Sequence, residues 1–221
     1  RSSNAASSGH DVLSLLQRAK QTGAPMTESQ MVGQAALVFG ASQMTTAHTL
    51  TWTLFLLAQH PEVMQELVDQ ISDKPESNLR ISPPDAPTGI MPANSTSVLD
   101  RVIRESMRVL PASAYSQRVT NGSTELNDAL LKPNSLVIFS QFMTHRNEQL
   151  FPSSSKFHPD RWNTIRPTGY EYLPFGGGAK LCLGATLAMS ILNIVLPMPL
   201  QKAGLQVVPN TRVNGRVIST M

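Results

Sequence analysis

From Gln30 to His60 the chain carries no Lys, Arg, Asp or Glu. A stretch that long without a charge belongs inside a membrane or inside a protein core. Gln34, Ser42, Gln43, Thr45, Thr46, His48, Thr49, Thr51 and Thr53 place too many polar groups in it for hydrocarbon. The expectation is therefore one long helix of a protein core, buried on nearly all sides. Its start is marked by Thr27 and Gln30, spaced as a capping box, with Met26 and Met31 at the two staple positions. Midway, Gly40-Ala41-Ser42-Gln43-Met44-Thr45-Thr46 collects residues that weaken a helix centre. A polar weak point in a buried helix is a functional candidate.

The second constraint is Tyr172-Leu173-Pro174-Phe175-Gly176-Gly177-Gly178-Ala179-Lys180-Leu181-Cys182-Leu183-Gly184-Ala185, which holds the chain's only cysteine. Its glycines permit positive φ and a close approach of backbone to a flat ligand. The apolar run after Gly184 reads as a helix ended by Pro197. Cys182 thus lies where a glycine loop meets a helix N-terminus, a setting that favours thiolate over thiol. The plainer alternative is a buried, inert cysteine beside a turn.

Other glycine-loop chemistries do not match. A phosphate loop needs Gly-Lys-Ser/Thr, but Lys180 stands between Ala179 and Leu181. A dinucleotide fingerprint from Gly176 would need a glycine or alanine at Leu181 and an acid about 20 residues on. One cysteine and five scattered histidines make a poor zinc site. A net charge of +3 without a dense basic stripe and interleaved aromatics gives no reason to expect nucleic acid. The 221 residues, 41% hydrophobic and 15% charged, can build one domain with a real core. No signal peptide is recognisable.

Along the chain, residues 1–10 read as a flexible N-terminal segment and 11–221 as the folded part. Asp11 caps a short helix to about Gln21, broken by Thr22-Gly23-Ala24-Pro25. Pro61 opens a helix to about Ile71, and 72–95 reads as a surface loop. Ser97 begins a helix with Leu99, Val102, Ile103, Ser106, Met107 and Leu110 on one face and Arg101, Arg104, Glu105 and Arg108 on the other. Glu105 and Arg108 are spaced to pair, which on most helices means a solvated ion pair. Strands are expected at Gln117–Thr120, near Leu136–Phe139 after a turn with Asn134 in the left-handed region, and at Leu205–Val208 and Arg216–Ile218. His145 is expected to be satisfied locally rather than catalytic.

Phe175, Gly178, Lys180, Cys182 and Gly184 follow the pattern Phe-x-x-Gly-x-Arg-x-Cys-x-Gly, and the loop so spaced resembles the haem-binding loop of the cytochrome P450 family. Lysine for arginine is the one departure. Three further stretches resemble that family in the same order. Ala41–Thr46 is similar to its central-helix motif, with Ser42 at the usual glycine and Met44 at the usual acid. Glu105-x-x-Arg108 is similar to its Glu-Arg motif, with the second arginine supplied by Arg161 in Pro159-Asp160-Arg161-Trp162. Arg118 matches a propionate-binding arginine.

The resemblance implies a mainly α fold with small β-sheets, present as a partial domain corresponding to the C-terminal half. It implies haem b (iron protoporphyrin IX), with Cys182 as axial ligand, Phe175, Gly176, Gly178 and Gly184 around it, and Lys180 and Arg118 toward the propionates. Thr45 takes the family's proton-handling role. Glu105, Arg108 and Arg161 form a structural triad pinning the loop before Cys182. Ala36, Phe39, Gly40 and Ala41, with Ala112, Ser113, Ala114 and Tyr115, line the substrate pocket. The implied reaction is monooxygenation of a small organic substrate by O2, with electrons from a ferredoxin, a flavodoxin or an NADPH reductase. Because Met44 removes the acid of the relay, peroxide use, or isomerisation or dehydration of an oxygenated substrate, is an alternative; a non-catalytic fragment is another. The family's location is cytoplasmic or membrane-associated, through an anchor N-terminal to these residues.

Overall fold

The computed structural model describes residues 11–21, 26–72 and 97–213. The expected breaker at 22–25, the loop read over 72–95 except Ser72, and the strand at 216–218 lie outside them, as do residues 1–10. The described residues fall into two compact units, one ending at Met44 and one beginning at Thr45.

In the first unit, α1 (Val12–Gln21) starts from Asp11, whose carboxylate accepts from the Ser14 N–H at 2.8 Å and the Ser14 hydroxyl at 2.9 Å. The same unit contains the first half of α2 (Glu28–Gln59). The capping box is formed: the Gln30 N–H donates to Thr27 Oγ1 at 3.2 Å and the Thr27 N–H to Gln30 Oε1 at 2.9 Å.

The expectation that α2 is buried on nearly all sides is corrected. Its buried residues are Thr46, Thr49, Thr53, Leu56 and Leu57, one stripe confined to the second half, while Val32, Leu37, Phe39 and Met44 are exposed. The charge-free sequence says what the helix can tolerate as surroundings; burial needs elements to lie against it, and among the described residues these reach only the later turns. There two of the buried hydroxyls are satisfied within the helix, Thr49 donating to the Thr45 carbonyl at 2.9 Å and Thr53 to that of Thr49 at 2.7 Å.

The second unit is built on α3 (Pro61–Ser72) and α4 (Val98–Val109). Ser97 caps α4 by accepting from the Asp100 N–H at 3.1 Å. The core joins Leu56 and Leu57 of α2, Leu67 and Ile71 of α3, and Val98, Leu99, Val102, Ile103, Met107 and Val109 of α4. Met189 and Leu192 of α6 (Ala185–Val195), Leu196 just after it, Leu200 of α7 (Pro197–Leu200) and Phe157 complete it. Both faces of α4 are buried, the charged one included.

Two antiparallel pairs follow α4. β1 (Ser116–Val119) pairs with β4 (Leu136–Phe139), Ser116 opposite Phe139 and Val119 opposite Leu136. β2 (Thr124–Leu126) and β3 (Ala129–Leu131) form a hairpin that the sequence reading does not contain. Asn127 and Asn134 hold the turns at φ 50° and 63°, the left-handed region that asparagine tolerates. The strand expected at 205–208 is not formed; an extended segment needs a neighbour for its ladder, and the two described sheets are complete pairs without it. After the short α5 (Gln141–Thr144) the chain winds through turns and a 3-10 helix at Pro159–Asn163, then a second at Gly178–Lys180 before α6. The fold is mainly helical with two small sheets, as expected.

Candidate functional site

The Cys182 loop is shaped by its own backbone. Gly176 and Gly178 take φ of 75° and 67°, which glycine adopts at no steric cost. The Cys182 N–H donates to the Phe175 carbonyl at 2.9 Å, closing the loop on itself. Gly184 caps α6, and the Ala185 N–H reaches the Cys182 carbonyl at 3.4 Å. The cysteine therefore lies just before the helix. It is exposed, which sets aside the buried, inert alternative. Leu183 beside it is 94% exposed, no atom lies within 4 Å of a side chain built on Gly178, and one built on Gly184 would stand 3.9 Å from Cys182 Sγ.

A thiol aimed outward, an uncovered leucine and glycines that keep the surface low fit a broad, flat, apolar group taking one sulfur ligand. Lys180, exposed on its 3-10 helix, can offer a point charge to an anionic edge of that group. Phe175 packs against the main core and anchors the loop's entry.

Behind this loop Glu105, Arg108 and Arg161 are brought together. Glu105 is wholly buried and accepts five hydrogen bonds. Arg108 Nε and Nη2 donate at 3.0 and 2.9 Å, Arg161 Nε at 2.8 Å, Trp162 Nε1 at 3.1 Å and the His158 N–H at 2.9 Å. Arg108, also wholly buried, spends its remaining donors on the carbonyls of His145 and Ser154, each at 2.7 Å, and Lys156 at 2.9 Å. Arg161 adds the carbonyls of Pro152, Ser153 and Lys156. The solvated pair that the i, i+3 spacing alone suggests is thus replaced by a desolvated network. One carboxylate holds two guanidiniums, and backbone carbonyls stabilise the surplus positive charge.

The network reaches the cysteine loop through a second cluster, Phe151, Trp162 and Tyr172. Tyr172 donates its hydroxyl to the Arg104 carbonyl at 2.9 Å, and burial pushes its pKa far above the ordinary tyrosine value. Next along, the Leu173 N–H donates to His145 Nε2 at 2.8 Å. His145 is wholly buried, and its pKa falls to about 4, first because burial penalises the imidazolium and then because Arg108 and Arg146 repel it. It is satisfied on one nitrogen only, by a residue far along the chain. The sequence gives no cue for this, because the partner is a backbone N–H that any residue supplies.

Arg118 is exposed on β1, its guanidinium on the neighbouring Gln117 carbonyl at 2.8 Å. Thr45 is half-buried and Met44 is 51% exposed. Ala36, Phe39, Gly40 and Ala41 are exposed residues of the first unit, Phe39 at 68%. Ala112 and Ala114 of the second unit are half-buried, while Ser113 and Tyr115 are exposed; the Ala114 carbonyl receives the Phe142 N–H at 3.0 Å. A cleft of about 720 Å³ lies elsewhere, lined by Glu66, Arg101, Ser153, His158, Asp160 and Arg161 among others. It shares no residue with the cysteine loop.

The profile of the family described as Cytochrome P450 matches residues 2–218. Cyclooctatin synthase of Streptomyces melanosporofaciens is 31% identical over 211 residues, 93% of this chain and 44% of that protein. Cyclooctat-9-en-7-ol 5-monooxygenase of the same organism is 31% identical over 91% of this chain and 43% of its own length. Cytochrome P450 3A40 of Oryzias latipes is 29% identical over 85% of this chain and 37% of that protein. A zebrafish cytochrome P450 structure solved with progesterone superposes with a TM-score of 0.70 at 24% identity, over 87% of this chain and 44% of that one. The chain thus spans less than half the length of the relatives it matches.

Proposed function

The chain belongs to the cytochrome P450 family, and from that premise we propose that it is a haem-thiolate monooxygenase using haem b. The net reaction consumes an organic substrate, O2, two electrons and two protons, and yields the hydroxylated product and water. The electrons come from a ferredoxin, a flavodoxin or an NADPH reductase. When bound, haem supplies the oxygen-activating chemistry, and a cysteine thiolate as axial ligand favours O–O cleavage.

The chain's own residues hold and shape that site. Cys182 supplies the sulfur, Gly176, Gly178 and Gly184 keep backbone and side chains out of the ring's way, and Phe175 closes the entry of the loop against the core. Lys180 and Arg118 take the propionates. Thr45 moves a proton at its hydroxyl, at the weak point of α2. Glu105, Arg108 and Arg161 act structurally, through the loop they fix. Ala36, Phe39, Gly40 and Ala41, and Ala112–Tyr115, contact the substrate.

The observation that carries this reading is the exposed position of the single cysteine on a glycine-lowered surface. The reduced carbon-monoxide difference spectrum tests it: the red-shifted Soret band of thiolate ligation is expected, and Cys182→Ala abolishes it. An unchanged band in the alanine variant would refute the ligand assignment, and no haem uptake at all would leave the chain a non-catalytic fragment.

One observation favours a second reading. Met44 occupies the usual acidic position, and its thioether cannot donate a proton. Peroxide use, or isomerisation or dehydration of an oxygenated substrate, then becomes the chemistry. Product formed with NAD(P)H and redox partners, but not with peroxide, excludes it.

A further inference from the structure

We propose that His145 is a positioning residue that ties the buried Glu105–Arg108–Arg161 network to the Cys182 loop, its ring holding the Leu173 N–H while its backbone holds Arg108. Both contacts are on one residue. The His145 carbonyl receives Arg108 Nη1 at 2.7 Å, and His145 Nε2 receives the Leu173 N–H at 2.8 Å. Two residues on, the Phe175 carbonyl receives the Cys182 N–H at 2.9 Å. A continuous path of hydrogen bonds and short backbone thus runs from the Glu105 carboxylate to the cysteine.

The geometry fixes the tautomer. Leu173 offers a donor, so Nε2 must be the bare acceptor and the hydrogen must sit on Nδ1. Nδ1 has no hydrogen-bond partner among the described residues. A fully buried donor without a partner is a cost that folded chains seldom carry. Here it accompanies the side-chain hydrogen bond that holds the Leu173 N–H at the loop entry. The ring is packed between Tyr172 and Phe151, with centroids at 5.3 and 6.1 Å, so it cannot turn to present the other nitrogen without repacking both.

The charged and titratable groups facing it are Arg108 from α4, Arg146 beside it and Tyr172 from the loop. Burial first, and then both cations, keep the ring neutral, and only the neutral ring accepts at Nε2. Phenylalanine would preserve the packing and lose the acceptor. Glutamine places an amide oxygen near the Nε2 position and keeps it.

The test is residue-resolved amide hydrogen exchange on the full chain without haem, in wild type, His145→Phe and His145→Gln, and does not depend on the haem assignment. Exchange at Leu173 and Cys182 is expected to rise roughly tenfold in His145→Phe, with the α4 amides unchanged. His145→Gln is expected to stay within roughly threefold of wild type. In the wild type, protection of Leu173 should fall as pH drops toward 4, and in His145→Gln it should not.

Unchanged exchange at Leu173 in the phenylalanine variant overturns the proposal. So does equal loosening of α4 in both variants, which marks a merely structural residue. A second arm rests on the proposed haem function: at equal haem content, His145→Phe should show a smaller share of the thiolate spectrum. Altered exchange with no thiolate spectrum in any variant would count against the haem reading and leave the positioning role standing.

Discussion

His145 makes stability depend on pH in a definite direction. Its pKa is about 4 in the folded chain against 6.5 when exposed, so between those values the unfolded chain binds the proton and the folded one does not. The stabilisation is complete above pH 6.5, falls as the medium is acidified, and is fully lost below about 4. A shift of that size is worth about 3 kcal/mol at roughly 1.4 kcal/mol per unit. Urea unfolding at pH 7 and pH 4 should therefore show a larger loss in wild type than in His145→Gln, which cannot titrate. Carboxylates contribute to both proteins alike, so the difference between them isolates the histidine. Equal losses would mean that the ring is not held neutral by its surroundings. Glu148 works in the same direction at lower pH: its carboxylate accepts from the Ser154 hydroxyl and N–H, which lowers its pKa.

At the scale of elements, α4 carries the most consequential chemistry, and its Arg108 is not exchangeable for lysine. Arg108 uses every donor of its fork: two on Glu105 and three on backbone carbonyls. A lysine brings three donors and no fork, so Arg108→Lys leaves carbonyls or Glu105 oxygens unpaired in a site without water access. The expected cost is about 2–4 kcal/mol, read as a lower denaturation midpoint. Arg161→Ala, which strips one guanidinium from a wholly buried carboxylate, is expected to cost about 3–5 kcal/mol. If either variant unfolds like the wild type, the network is not holding the meander from His145 to Trp162. The sequence made part of this legible. Thr27 with Gln30, Asp11, Ser97 and Asn134 announce local geometry because their side chains satisfy or tolerate it within a few residues. Glu105 and Arg108 announce only a pair; the resemblance added Arg161. The β2–β3 hairpin is not legible in the sequence although Asn127-Asp128 is turn chemistry, since strands of three residues show no alternation to read. The strand expected at 205–208 does not form, for the opposite reason: β-branched residues are visible in sequence, and the neighbour they need is not.

At the scale of the whole molecule, the first half of α2, within its charge-free stretch, shows what sequence alone leaves open. Its composition permits burial, yet Val32, Leu37 and Phe39 are exposed in the first unit, which ends at Met44. Their apolar surface gains nothing in this chain, because transfer out of water is what makes burial favourable and no transfer has occurred. Leu37→Gln with Phe39→Gln should then change stability by less than about 0.5 kcal/mol, the range for surface positions, since glutamine is itself a good helix former. The same double variant should bind less of a hydrophobicity-reporting dye and self-associate less, because exposed apolar patches drive both. The relatives are more than twice as long as the portion matched, so the contrast to measure is between this chain and a relative of full length carrying the matching substitutions. A small effect here and a loss of several kcal/mol there would show that α2 is a core helix whose covering elements lie outside the matched portion. A large loss in this chain would show instead that Leu37 and Phe39 are already packed in solution, and the exposure described for the first unit would be wrong.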